Sequence, residues 1–316
     1  MNTVTAPLFL SASKWSGRND GPGPEHARWH STVDTAAGPT EGAVHVLGFA
    51  SDEGVERNGG RQGAAQGPAA LRAALGSLAV HDQRVLIDAG TVTTQNDELE
   101  DAQRTLSDKI SDLVAAQGSA GITVVLGGGH ETSFATHRGA YEAIGPMQII
   151  NFDAHFDLRT ASQPTSGTPF TQIADLVGED FDYSVFGISR PNNTKVLFDT
   201  AERLGVTTVL DTELATMTVR EATERALAAV DGDLPIHLSI DLDVLPAAVA
   251  PGVSAPAGFG VEYAKLRAMV AAVASTGRVA LLDVVELNPE FDVDQRTAKA
   301  AARLIDDVVS AAAERR

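Results

Sequence analysis

The stretch MQIINFDAHFD, residues 147–157, is a short, largely apolar run that ends abruptly in Asp153, His155 and Asp157. A run of this length with polar ends fits a buried strand, because a helix needs a longer amphipathic repeat. Seven further runs share the pattern: Val44–Phe49, Arg84–Asp88, Thr123–Leu126, Tyr183–Gly187, Thr207–Leu210, Ile236–Ile240 and Val279–Val285. Between them lie helix-period segments at Pro68–Leu78, Asp97–Ala116, Thr132–Ala143, Val219–Val230, Val261–Ala274 and Val293–Ala313. Apolar strands separated by crossover helices predict a parallel sheet covered on both faces. The expected fold is therefore α/β, a doubly wound three-layer α/β/α arrangement around an eight-stranded parallel sheet. Residues 1–42 read as an N-terminal arm of the same domain, and 43–316 as a single α/β domain with no interrupting linker.

Composition narrows the chemistry. The chain has 316 residues, 43% hydrophobic and 21% charged, enough for a substantial core. A formal net charge of -18 argues against nucleic acid or an anionic membrane as partner, since either would repel the surface. With no cysteine, disulfides, thiolate zinc sites and cysteine nucleophiles are excluded, so any metal must bind through His, Asp or Glu. No stretch approaches the ~18 apolar residues of a membrane span, and no N-terminal run resembles a signal-peptide core. A cytoplasmic protein is expected.

In an open parallel sheet, ligands bind beyond the carboxyl ends of the strands. Those positions here are polar: Thr123–Leu126 runs into Gly127-Gly128-Gly129-His130-Glu131, and Ile236–Ile240 into Asp241-Leu242-Asp243. Val279–Val285 runs into Glu286-Leu287-Asn288-Pro289. Taken singly, His130 reads equally well as a turn residue capping the next helix, and Asp241 and Asp243 as solvated charges. Asp153, His155 and Asp157 are harder to dismiss, because buried carboxylates are costly unless a positive charge compensates them. Alternation along an extended strand would aim Asp153, His155 and Asp157 at one site, and Asp241 and Asp243 likewise. Four carboxylates would balance two divalent cations. The oxygen-rich set suits Mn²⁺, although Zn²⁺, Fe²⁺ and Co²⁺ are also compatible with such ligands.

GGGHE at 127–131, DAHFD at 153–157, SIDLDVLP at 239–246 and VVELNP at 284–289 resemble, in that order, the motifs of the arginase, agmatinase and formimidoylglutamase family. The resemblance covers nearly the whole chain. It implies an arginase-like fold and a hydrolase using two Mn²⁺ ions to cut a C–N bond in an amidine or guanidine. One ion would be held by His130, Asp153, Asp157 and Asp241, the other by Asp153, His155, Asp241 and Asp243, with Asp153 and Asp241 bridging. It further implies a water between the metals as nucleophile, Asp157 as the group that orients it and passes its proton to the leaving amine, and Glu286 as partner of the cationic substrate. A homo-oligomer, trimer or hexamer, is implied on the same ground.

Within the family, three features resemble the formimidoylglutamase branch: Gly129 where arginases and agmatinases carry Asp, the loop GFASDEGVERNGGRQGAAQGPAALR at 48–72, and the arm motifs KWSGRND and ARWHS at 14–20 and 27–31. The implied reaction is hydrolysis of N-formimidoyl-L-glutamate to L-glutamate and formamide, a late step of histidine degradation. Two substrate carboxylates call for arginines. Candidates are Arg190 with Asn192 and Asn193, then Arg159, Arg57 and Arg61. Local acids such as Asp52, Glu53 and Glu56 offer Arg57 and Arg61 a simpler role as neutralising charges. Ser166-Gly167-Thr168 falls where arginase and agmatinase place a proton-shuttling histidine, and no histidine stands there. Agmatinase or guanidinobutyrase activity, a single-metal deacylase of the same fold and a non-catalytic metal-binding protein are the rival readings.

Overall fold

The computed structural model describes residues 8–94, 98–230 and 232–313. Nine strands form one sheet: β1 (Phe9–Leu10), β2 (Val44–Ala50), β3 (Leu86–Thr93), β4 (Ile122–Leu126), β5 (Gln148–Phe152), β6 (Asp182–Ile188), β7 (Thr207–Leu210), β8 (Ile236–Asp241) and β9 (Val279–Val285). Their order is β1-β3-β2-β4-β9-β8-β5-β6-β7. The eight strands expected from sequence are the eight parallel ones, and the arm adds a short ninth, β1, antiparallel to β3 at the edge.

Strand alternation divides the core in two. Ile122, Val124 and Leu126 of β4 enter one apolar cluster, with Leu71 and Leu75, Leu266 and Met269, and Leu304 and Ile305 from helices at Gly67–Gly76, Tyr263–Ala274 and Arg296–Ala313. Val125 enters the opposite cluster, with Leu99, Leu106 and Ile110 of the helix Leu99–Gln117 and Ala135 and Ala140 of Thr132–Ile144. Residues i and i+2 share a face, so a wholly apolar strand serves both layers.

The expected start of one helix at Asp97 lies outside the described residues. The strand expected at Arg84–Asp88 begins at Leu86 and runs on to Thr93. Arg84 instead turns its side chain to Asp82 and Asp306. Helices at Glu53–Arg57, Pro169–Val177 and Lys195–Arg203 escaped the sequence reading because each is short and sits where loop residues were expected. The arm is held by two tryptophans with rings stacked 6.2 Å apart. Trp15 donates its indole N–H to Asp88 at 2.7 Å, and Trp29, fully buried, donates to Asp306 at 2.9 Å.

Candidate metal centre

The motif-bearing strands β4, β9, β8 and β5 are four consecutive neighbours at the middle of the sheet. The chain leaves β4 for β5 through the helix Thr132–Ile144, and β9 and β8 fill the gap between them later. This brings four distant segments together at the carboxyl ends, where such sheets open a crevice.

After β4, Gly128 hugs the backbone of Phe49 and Ser51, where any Cβ would collide with the Ser51 carbonyl oxygen. That close approach delivers His130 to the crevice just ahead of the helix. After β5, the convergence differs from the expected strand alternation: β5 stops at Phe152 and Asp153–Asp157 form an irregular loop. The Asp153 carboxylate accepts from the His155 N–H at 2.7 Å, folding the loop back on itself. Asn193 braces it from outside, accepting from Phe156 N at 3.1 Å and donating to the carbonyls of Ala154 and Ser189, both at 2.9 Å. Asp157 sits at φ 48 and Glu286 at φ 67, left-handed conformations that are uncommon outside glycine and collect at functional sites. Asp241 ends β8, and its Oδ1 accepts from Asp243 N at 2.8 Å within the single turn Leu242–Val244.

Two groups of ligand atoms result, each within 4.8 Å: His130, Asp153, Asp157 and Asp241; and Asp153, His155 and Asp243. Asp153 is common to both, whereas the second group forms without Asp241. His130 Nδ1 lies 3.1 Å from Asp153, 3.0 Å from Asp157 and 3.1 Å from Asp241. It is buried and makes no well-directed hydrogen bond to any of them. An imidazole nitrogen and three carboxylate oxygens pointing inward without bonding one another is the donor set a cation needs. In the second group, His155 Nδ1 lies 3.0 Å from Asp243 and 3.6 Å from Asp153.

Electrostatics agree with that fit. Burial, together with Asp243 and Asp153 nearby, pushes the Asp241 carboxyl well above the usual carboxylate range, and burial also raises Asp157. Burial plus the charges of Glu131 and Asp243 push Glu286 up to about 8. Such a cluster is self-repelling, and divalent cations relieve it. Oxygen ligands with two imidazoles and no thiolate suit Mn²⁺. Glu286 is kept apart from both groups: its carboxylate accepts from His130 N at 2.9 Å.

The arginine candidates separate into two kinds. Arg57 pairs with Glu53 at 2.8 Å and Glu100 at 2.9 Å, and Arg61 is held by the carbonyls of Val253 and Ser254 with its guanidinium over Phe291. Both knit loops together and already have protein partners for their guanidinium groups. Asn193 is likewise saturated by the backbone of the metal loop, so its role is to hold that loop. Arg159 and Arg190 are exposed and have no ion-pair partner among the described residues, and Asn192 is exposed beside Arg190. Ser166 accepts from Asn58 Nδ2 at 3.1 Å, and no histidine lies in that turn.

Sequence reasoning missed Glu131. Its buried carboxylate accepts from Ser51 Oγ at 3.0 Å and Gly54 N at 3.1 Å, tying the helix Glu53–Arg57 to the glycine-rich turn. The available signal was its place in GGGHE, directly after a ligand.

The arginase family model matches residues 42–310. A formimidoylglutamase of Corynebacterium efficiens is 49% identical over 300 residues, covering 94% of each chain, and one of Nocardia farcinica is 47% identical, covering 95% of this chain and 96% of that one. Among solved structures, a Trypanosoma cruzi formiminoglutamase with Mn²⁺ superposes with a TM-score of 0.80 at 28% identity, covering 90% of this chain and 98% of that one. A Bacillus subtilis formimidoylglutamase gives a TM-score of 0.82 at 22% identity, covering 90% and 91%, a likeness of fold. With the fold, the paired ligand groups and these relatives in agreement, the chain belongs to the arginase family.

Proposed function

We infer that this protein is a formimidoylglutamase, hydrolysing N-formimidoyl-L-glutamate to L-glutamate and formamide. The observation that carries the reading is the double ligand group at the ends of four adjacent strands, in a chain nearly half identical to proteins of that name. In our reading His130, Asp153, Asp157 and Asp241 would hold one Mn²⁺, and Asp153, His155 and Asp243 the other. When bound, two such ions supply a water nucleophile that loses its proton near neutral pH.

The chain's own residues do the rest. Glu286, beside His130, pairs with the amidinium and sets its carbon in line for attack. The Asp157 carboxylate takes the water proton and gives it to the glutamate nitrogen as the C–N bond breaks. The water oxygen leaves in formamide. Arg159 and Arg190, unpaired at the rim, take the two substrate carboxylates. The reading includes the arm as part of one catalytic domain, a cytoplasmic location and a homo-oligomer, trimer or hexamer; no described helix is long and apolar enough to cross a membrane. Product analysis with Mn²⁺-loaded protein tests it: glutamate and formamide should appear in equal amounts. Release of ammonia with N-formylglutamate would mean the other C–N bond is cut and the substrate is held the opposite way round.

A further inference from the structure

We propose that Asp283, acting through Ser133 and Ser239, fixes His130 in the tautomer that leaves Nδ1 bare for a metal ion; the proposal rests on the metal-centre reading above. Asp283 lies on β9, fully buried behind the site. Its Oδ2 receives Ser133 Oγ at 3.0 Å, Thr136 Oγ1 at 2.8 Å and His237 Nε2 at 2.8 Å. A carboxylate only accepts, so it dictates the direction of every hydrogen bond that leads to it. Ser133 gives its single hydroxyl hydrogen to Asp283 and has only lone pairs for Ser239 Oγ, 3.3 Å away. Ser239 spends its single hydrogen on the same side, on Ser133 or directly on Asp283, which leaves only lone pairs for His130 Nε2 at 3.1 Å. His130 therefore keeps a hydrogen on Nε2, and Nδ1 is the nitrogen left to give up its proton when an ion binds. Nδ1 faces the oxygens of Asp153, Asp157 and Asp241, which, against the opposing effect of burial, hold the ring protonated until a cation takes the proton's place.

The same carboxylate orders a second line. His237 donates Nε2–H to Asp283, and its Nδ1 lies 3.2 Å from His137 Nδ1. An outer partner that fixes the tautomer of a histidine ligand typically changes metal affinity by roughly 10–100-fold when removed. Asp283 and Ser239 are thus positioning residues, touching neither substrate nor metal.

The test uses the full chain, stripped of metal and titrated with Mn²⁺. Histidine ¹⁵N spectra of the metal-free wild type, taken at a pH alkaline enough to neutralise His130, should show the remaining hydrogen on Nε2, and Ser239→Ala should show a mixture of tautomers. Mn²⁺ affinity at one of the two positions should fall by roughly 10–100-fold in Ser239→Ala. Asp283→Asn should do at least as much, and if it fails to fold, Ser239→Ala decides. Thr136→Val removes a hydroxyl from the same carboxylate oxygen but is not on the route to His130, so it should keep wild-type tautomer and affinity. An unchanged tautomer and affinity in Ser239→Ala, or an equal loss in Thr136→Val, would overturn the proposal. A wild type that binds no Mn²⁺ would instead overturn the metal reading, and the tautomer spectra would still judge the network.

Discussion

Glu286 is the residue whose variant separates binding of substrate from binding of metal. It accepts from the His130 backbone and belongs to neither ligand group. Glu286→Ala should keep both ions and lose transition-state stabilisation of about 2–4 kcal/mol, the worth of a charge-assisted pair in a desolvated site. Metal analysis beside kcat/KM checks this, and loss of an ion would show the residue to be misassigned. Asp243→Asn should do the reverse, lowering occupancy of the second position and kcat together, because one anionic ligand is gone. The arginines give a parallel contrast. Arg190→Leu should raise KM with metal content intact, whereas Arg57→Ala should cost up to about 1 kcal/mol of stability, Glu100 being partly solvated, and leave KM alone. The cluster of carboxylates and imidazoles was legible in the sequence because its members follow strands directly. The pairing of Arg57 with Glu53 was legible as the neutralising alternative, whereas its second partner Glu100, 43 residues away, and the carbonyls that hold Arg61, more than 190 residues away, were not.

At the scale of elements, seven of the eight parallel strands were read to within a residue at each end, because wholly apolar runs between turns admit few alternatives, while β3 was displaced and β1 missed. What the pattern could not supply was the route by which Asp153–Asp157 converge, a loop set by Asn193 from a segment after β6. The turn between β4 and its helix carries a testable dependence of this sort. Any Cβ at Gly129 would collide with the Glu131 carboxylate and with Val55. Gly129→Asp, the residue arginases resemble at this place, should therefore be destabilising alone. Paired with Glu131→Ser it should recover, with a coupling of about 1 kcal/mol or more between the two sites. Strict additivity in denaturant titrations of the single and double variants would mean that Glu131 does not occupy the space.

For the whole molecule, the segments after four adjacent central strands converge on one cluster of buried carboxylates and imidazoles, so an ion bound there is linked to folding. Ions that bind the folded chain and not the unfolded one stabilise it by mass action. Chelation should lower the melting temperature and abolish activity, and Mn²⁺ should restore both better than Mg²⁺. The acidic total, -18, contributes little to this argument, because the charges that matter are the buried few at the strand ends.

The measurement that bears most directly on the account is a substrate panel with the Mn²⁺-loaded protein, scoring formamide and urea separately. Agmatine has no carboxylate for the proposed partners Arg159 and Arg190, which are exposed, so the discrimination rests on how far bound substrate desolvates them. Efficient formamide release from N-formimidoyl-L-glutamate, with little or no urea from agmatine or arginine, is the predicted result. Efficient urea release from agmatine or arginine, with no formamide from formimidoylglutamate, would contradict it.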